Sequence, residues 1–200
     1  MSGTANAVSV ESIQDLFAHE LNNRILEAKR DLEYYLINGE YTEESEGVAR
    51  QMKGLVSFAD ATKVEDADLT LSTLQEMSKD MRKHGTASQN LLLLCDYNCT
   101  DIVNSLFEDK QRYVNVQNTF GSVVNHVNLT YAGADIYTID SMPENTCMLV
   151  NLDYINLAEL RPLAYEDLAK TGDSRKGFIA MENTLKVVNP YAIKMFKKTA

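Results

Sequence analysis

Three cysteines, three histidines and one Lys-Thr-Gly triplet are the residues through which chemistry would run in this chain. Three residues separate Cys95 from Cys99, and Cys147 and His126 lie further along. Structural zinc takes four ligands, usually in two tight pairs. Only one loose pair is present, and Cys95 ends the apolar run Leu91–Leu94. Cys147, inside Thr146-Cys147-Met148-Leu149-Val150, reads as a small core residue. Coupled to His126 it would make a thiol nucleophile pair, but no local signature supports that arrangement. Lys170-Thr171-Gly172 matches one element of serine acyl-transfer sites, which also require Ser-x-x-Lys. No serine here is followed by lysine at that spacing. Neither Gly-x-x-x-x-Gly-Lys nor Gly-x-Gly-x-x-Gly occurs, so no phosphate-cradling loop is expected. His19, His84 and His126 each have an ordinary structural reading. The expectation is no catalytic residue, no cofactor and no metal.

Composition narrows the classes further. The chain has 200 residues, of which 44% are apolar, enough for a real core in one domain or two small lobes. It carries 29 acidic and 19 basic residues, for a net charge of −10. A surface this acidic repels polyphosphate, which argues against a sequence-specific reader of nucleic acid. The densest basic cluster is Lys194, Lys197 and Lys198, which reads as a solvated tail. No stretch approaches the ~20 apolar residues that cross a bilayer, so no membrane partner is expected. The N-terminal residues lack the basic and apolar regions of a secretion signal. The odd cysteine count fits free thiols in a reducing cytosol.

The elements that would hold these residues follow from periodicity. Ile13, Phe17, Leu21, Ile25, Ala28, Leu32 and Leu36 recur at steps of three or four and predict one long helix, capped by Ser12 with Asp15 and stopped at Asn38-Gly39. Residues 42–47 read as an acidic loop, 48–58 as irregular with some helix, and 62–68 as an acidic connector. Leu71, Leu74, Met77 and Met81 form the stripe of a second helix over 71–84, with Thr73 and Glu76 as its cap and Gly85 as its left-handed stop. Leu91–Cys95 reads as a buried strand and Thr100–Phe107 as a short helix. Val127, Leu129 and Tyr131 then alternate with polar residues, the signature of a half-buried strand. Ala134–Ile139, Cys147–Leu152, Ile155–Leu160 and Phe178–Val188 are further strands. Helices first and strands later predict an α+β layout, because regular β-α-β alternation is missing.

A resemblance rests on these residues taken in order. Lys29-Arg30-Asp31-Leu32-Glu33 within the first helix resembles the long spine helix of tailed-phage major capsid proteins, those with the Hong Kong 97 shell fold. Ala49-Arg50-Gln51-Met52-Lys53-Gly54-Leu55 is similar to the segment after that helix. Leu74–Gly85 and Leu91–Leu106 resemble the helix, strand and helix of the family's axial lobe. Leu152-Asp153-Tyr154 to Arg161-Pro162 resembles the strand leaving that lobe, and Leu168–Gly172 the loop returning to the peripheral lobe. The co-linear order carries more weight than any single motif.

The resemblance implies a structural subunit of an icosahedral phage or prophage head. Residues 1–60 would form a peripheral lobe with the spine helix, 61–165 an axial lobe with a mixed or antiparallel sheet, and 166–200 the return strand of the peripheral lobe. The partners would be copies of the chain itself, in pentamers and hexamers, together with scaffold or portal proteins. Its place would be the virion, assembled in the bacterial host's cytoplasm. Lys170, Asp173, Arg175 and Lys176 would supply ion pairs between subunits. Only about a dozen residues precede the spine helix, where family members carry an arm and an extended loop. A partial chain, monomeric or weakly associated by itself, is therefore expected. The alternative is a small acidic cytosolic module that binds one protein partner through a helix stripe or strand edge.

Overall fold

A helix whose only buried residue is its penultimate one sets the character of this fold. It is α1 (Leu16–Asn38), 23 residues and thus ~34 Å long. The computed structural model describes Ser2 and residues 15–88, 91–108, 126–169 and 172–199. Phe17, Leu21, Ile25, Ala28, Leu32 and Leu36 are half-buried, as the stripe predicts, and only Ile37 of α1 is fully buried. Asp15 is itself the N-cap, its carboxylate accepting from the Ala18 backbone N–H at 3.0 Å, rather than the partner of a Ser12 cap. Ser12 and Ile13 lie outside the described residues.

After α1 the chain makes a tight hairpin. Thr42 pairs with Gln51 and Ser45 with Val48, and Gly47 takes the turn at φ 81°. The short helix α2 (Leu55–Ala59) follows. The backbones of Gly39 and Gly54 touch there: Gly54 N–H donates to Gly39 O at 2.8 Å. A Cβ on Gly54 would stand 2.5 Å from Gly39 N and 2.7 Å from Ile37 O. Both positions need glycine for close approach and not for a left-handed φ.

The core is a mixed six-stranded sheet. Its strands are β1 (Val64–Asp66), β2 (Leu91–Cys95), β3 (His126–Asn128), β4 (Gly133–Thr138), β5 (Thr146–Val150) and β8 (Ile193–Lys198), in the order β1-β8-β5-β2-β4-β3. β1 runs parallel to β8 and β2 parallel to β4; the other neighbours are antiparallel. Period two sends alternate residues to opposite faces. Leu91, Leu93, Cys95, Cys147, Leu149 and Phe196 face α3 (Leu71–Lys83) and α4 (Tyr97–Glu108). Leu94, Met148, Val150, Ile193 and Met195 face Ile37 of α1 and Leu55 and Ala59 of α2. A sheet covered on both faces needs near-continuous apolar strands, which explains the Leu91–Leu94 run.

Four expectations need correction. Residues 62–68 are not only a connector, because Val64–Asp66 pairs as an edge strand. The helix at 71 is capped by Thr70, which accepts from Thr73 N–H, and not by Thr73 with Glu76. The alternation of Val127, Leu129 and Tyr131 breaks at Asn128, where Leu129 N–H donates to Ala132 O and starts the turn early. The C-terminal lysine cluster is not a solvated tail. It lies on β8, between β1 and β5, with Lys194 buried. Gly85 does provide the left-handed stop, at φ 72°.

The remaining strands, β6 (Ile155–Asp167) and β7 (Gly177–Val187), form a two-stranded antiparallel ribbon apart from that sheet. β6 is longer than its expected span and carries register shifts between Glu159 and Ala164, around Pro162. Proline cannot donate to the ladder, so a bulge there is the ordinary outcome.

Candidate functional site

The residues whose types could carry chemistry do not converge. Cys95 and Cys147 sit opposite each other on β2 and β5, and Cys99 lies above them on α4. All three are buried free thiols in the apolar core. Hydrogen bonding from Cys95 and Cys99, together with burial, holds the Cys147 thiol well above its ordinary range. A protonated, enclosed thiol is neither a nucleophile nor a ready metal ligand. His126 is elsewhere, on the edge strand, its Nδ1 2.6 Å from Asp135 Oδ1. Among the described residues, no group of three or more His, Cys, Asp or Glu side chains could hold a metal ion. None of the described helices is long and apolar enough to cross a membrane.

The charged loop expected to contact other subunits lies at the far end of the ribbon, against the start of α1. Lys170 falls outside the described residues. Asp173 and Lys176 are exposed. Arg175 turns back on its own chain: its Nε donates to Asp167 Oδ1 at 3.2 Å, and its guanidinium lies 4.1 Å from the Phe17 ring centre. Phe17 meets Tyr165 edge to face at 6.0 Å, and the Tyr165 hydroxyl donates to Asp167. That bond to Asp167 raises the Tyr165 hydroxyl's pKa, and Asp167 likewise raises that of Arg175. A Cβ at Gly177 would strike the Tyr165 ring. Gly177→Ala should therefore swing Tyr165 off Phe17 and loosen the ribbon tip from α1. The expected cost is about 1 kcal/mol, with faster amide exchange at residues 165–177 and none in β2 or β5. Unchanged exchange at the tip would show that this aromatic contact holds nothing.

Sequence reasoning missed a second charged cluster. Where the hairpin 42–51 crosses the ribbon's bulged middle, Glu182 Oε1 accepts from Arg50 Nη2 and Arg161 Nη2, both at 2.7 Å. The hydrogen bond and charge of Arg161, and after them the charge of Arg50, hold the Glu182 carboxyl below its ordinary range. Arg50 and Glu182 are 132 positions apart, so no local pattern could have found the pair. The groove beside them holds about 630 Å³ and is broadly open. Its lining includes Arg50, the glutamates Glu43, Glu44 and Glu182, and the apolar Met52, Ala158, Leu160 and Met181, and no nucleophile with an adjacent base lines it.

What the geometry offers is surface. β5 is buried along its whole length and β2 nearly so. β6 is exposed at most of its positions. Leu157, Leu160, Leu168, Phe178 and Val188 stand exposed on or beside the ribbon, and Leu26, Tyr34 and Tyr35 on α1.

Comparison with known proteins agrees with this picture. A family model described as the SU10 major capsid protein matches residues 1–200. No curated protein matches the chain. The capsid of cyanophage A-1(L) superposes with a TM-score of 0.69 at 14% identity, over 98% of this chain and 72% of that one. The holo-SrpI encapsulin complex of Synechococcus elongatus PCC 7942 gives 0.66 at 13% identity, over 98% and 70%. The capsid of an empty GTA particle gives 0.63 at 14%, over 95% and 69%. At such identities the likeness is one of fold, the Hong Kong 97 shell fold, and the chain spans about seven-tenths of those chains.

Proposed function

Because the chain belongs to the SU10 major capsid protein family, and so is a structural subunit of a phage head within the virion, we propose that α1 and the β6–β7 ribbon are surfaces for lateral contact between copies arranged in rings of five and six. One observation carries this reading: a 23-residue helix with a single buried residue lies beside a two-stranded ribbon in which no residue is fully buried and β6 is exposed at most of its positions. A two-stranded ribbon alone is marginally stable in water. Its exposed leucines and both unpaired edges gain stability when another chain covers them.

In this reading the six-stranded sheet with α3 and α4 is the axial lobe, and α1 with the ribbon is the peripheral lobe. β8 then belongs to the axial sheet. Asp173 and Lys176, exposed at the ribbon tip, are proposed to pair with neighbouring subunits. Arg175 is proposed to shape that tip through Asp167 and Phe17. Each exposed pair contributes only ~0–1 kcal/mol, so a shell sums many such contacts. Assembly is proposed to take place in the bacterial cytoplasm on a scaffold, around a portal.

Co-expression of the gene product with its scaffold, viewed by negative-stain electron microscopy, tests the reading. Shells, rings or sheets with five- and six-fold symmetry are expected. Particles absent across scaffold ratios and salt conditions would contradict it.

A further inference from the structure

The groove at the ribbon's middle carries charges of both signs side by side. Arg50 and Arg161 have side chains 66% and 61% exposed, and each spends one nitrogen on the same oxygen of Glu182. A guanidinium has five N–H donors in a planar fork that fits a carboxylate. One carboxylate shared by two guanidiniums leaves a positive excess and unused donors. Glu43 and Glu44 line the same groove, both exposed. Neither forms an ion pair with either arginine among the described residues; Glu43 accepts instead from the Tyr41 hydroxyl. Leu160, which lines the same groove, is 77% exposed, the most exposed large apolar side chain described.

A patch that holds a charge set next to its complement is self-complementary under a two-fold rotation. We propose that two copies of this chain meet here about a two-fold axis, the Glu43–Glu44 turn of each lying on the Arg50–Arg161 pair of the other, with both Leu160 side chains covered between them. The occupant is a second copy because the patch supplies both halves of the contact. Icosahedral shells place two-fold axes between their rings, so such a contact would join one ring to the next. The inference rests on the reading that the chain assembles with itself, and it adds which surface does so.

Sedimentation of the full chain over a range of concentration and salt tests it. The chain should form a dimer that weakens as salt rises. Arg50→Glu and Arg161→Glu made together with Glu182→Arg, which inverts the cluster and keeps its internal pairing, and separately Glu43→Arg with Glu44→Arg, should each weaken the dimer by roughly tenfold or more. The variant carrying all five changes should dimerise again, and so should an equimolar mixture of the two charge-inverted variants. Leu160→Glu, at a position folding leaves exposed, should weaken the dimer without lowering the melting temperature. Charge-inverted variants that dimerise like the parent, or a five-fold variant that stays monomeric, would overturn the proposal. A parent chain that is monomeric at every concentration would overturn it too. Shells formed by such a chain with its scaffold would leave the capsid reading intact.

Discussion

Gly54→Ala should lower the melting temperature by roughly 6–12 °C, the equivalent of about 3 kcal/mol in a chain of this size. The new methyl would stand 2.5 Å from Gly39 N and 2.7 Å from Ile37 O, and both are backbone atoms that no rotamer change can move aside. The only relief is to part α1 from α2. That would also break the 2.8 Å hydrogen bond from Gly54 N–H to Gly39 O and uncover Leu55 and Ala59. Gly39→Ala meets the same crossing from the other side, 2.5 Å from Met52 O. Gly47→Ala is the control. Its φ of 81° is unfavourable for alanine, yet nothing lies within 4 Å, so only about 1 kcal/mol is expected. Thermal unfolding of the three variants decides the matter. Equal losses for Gly54→Ala and Gly47→Ala would show that the crossing has slack. The consequence reaches assembly, because this crossing fixes the direction in which α1 leaves the core.

Asp80→Ala should cost about 2–3 kcal/mol, whereas Lys194→Met should be close to neutral. Lys194 points from β8 toward α3, its side chain is only 7% exposed, and its ammonium pairs with the Asp80 carboxylate. Removing Asp80 strands a buried positive charge, while removing the lysine replaces the pair by apolar packing. The 38% exposure of Asp80 keeps the first figure below that of a fully enclosed pair. The hydrogen bond from Lys194 depresses the Asp80 pKa below its ordinary 3.8. A depressed folded value stabilises the protein above the unfolded value, and that contribution fades as pH falls below about 4 through the folded value. Lys194→Met should therefore flatten this part of the acid limb in a pH series of melting temperatures. A limb identical in parent and variant would remove Asp80 from the account.

The same lysine shows why the sequence was legible in some places and not in others. α1 could be read because its stripe has the helical period and its stop is a glycine. β5 and β2 could be read because both faces of the sheet are covered, which demands unbroken apolar runs. β8 was hidden because Lys194 is an inward charge whose partner lies on a distant helix, so Ile193–Lys198 looks like a basic tail. β1 was hidden because an edge strand of three residues, two of them acidic, has no apolar period. The ribbon tip was located in sequence, but the inward turn of Arg175 depends on Phe17, far away in the chain. The Arg50–Glu182–Arg161 cluster is purely tertiary, made where the hairpin crosses the ribbon.

The central claim is that α1 and the ribbon are completed by other copies of the chain. Amide hydrogen exchange, compared between the free chain and purified particles, tests it most directly. Assembly should protect β6, β7 and the exposed face of α1 by orders of magnitude and leave the already protected β2 and β5 unchanged. Particles in which the ribbon exchanges as fast as in the free chain, or a complex of fixed size with one unrelated protein partner in place of particles, would contradict it.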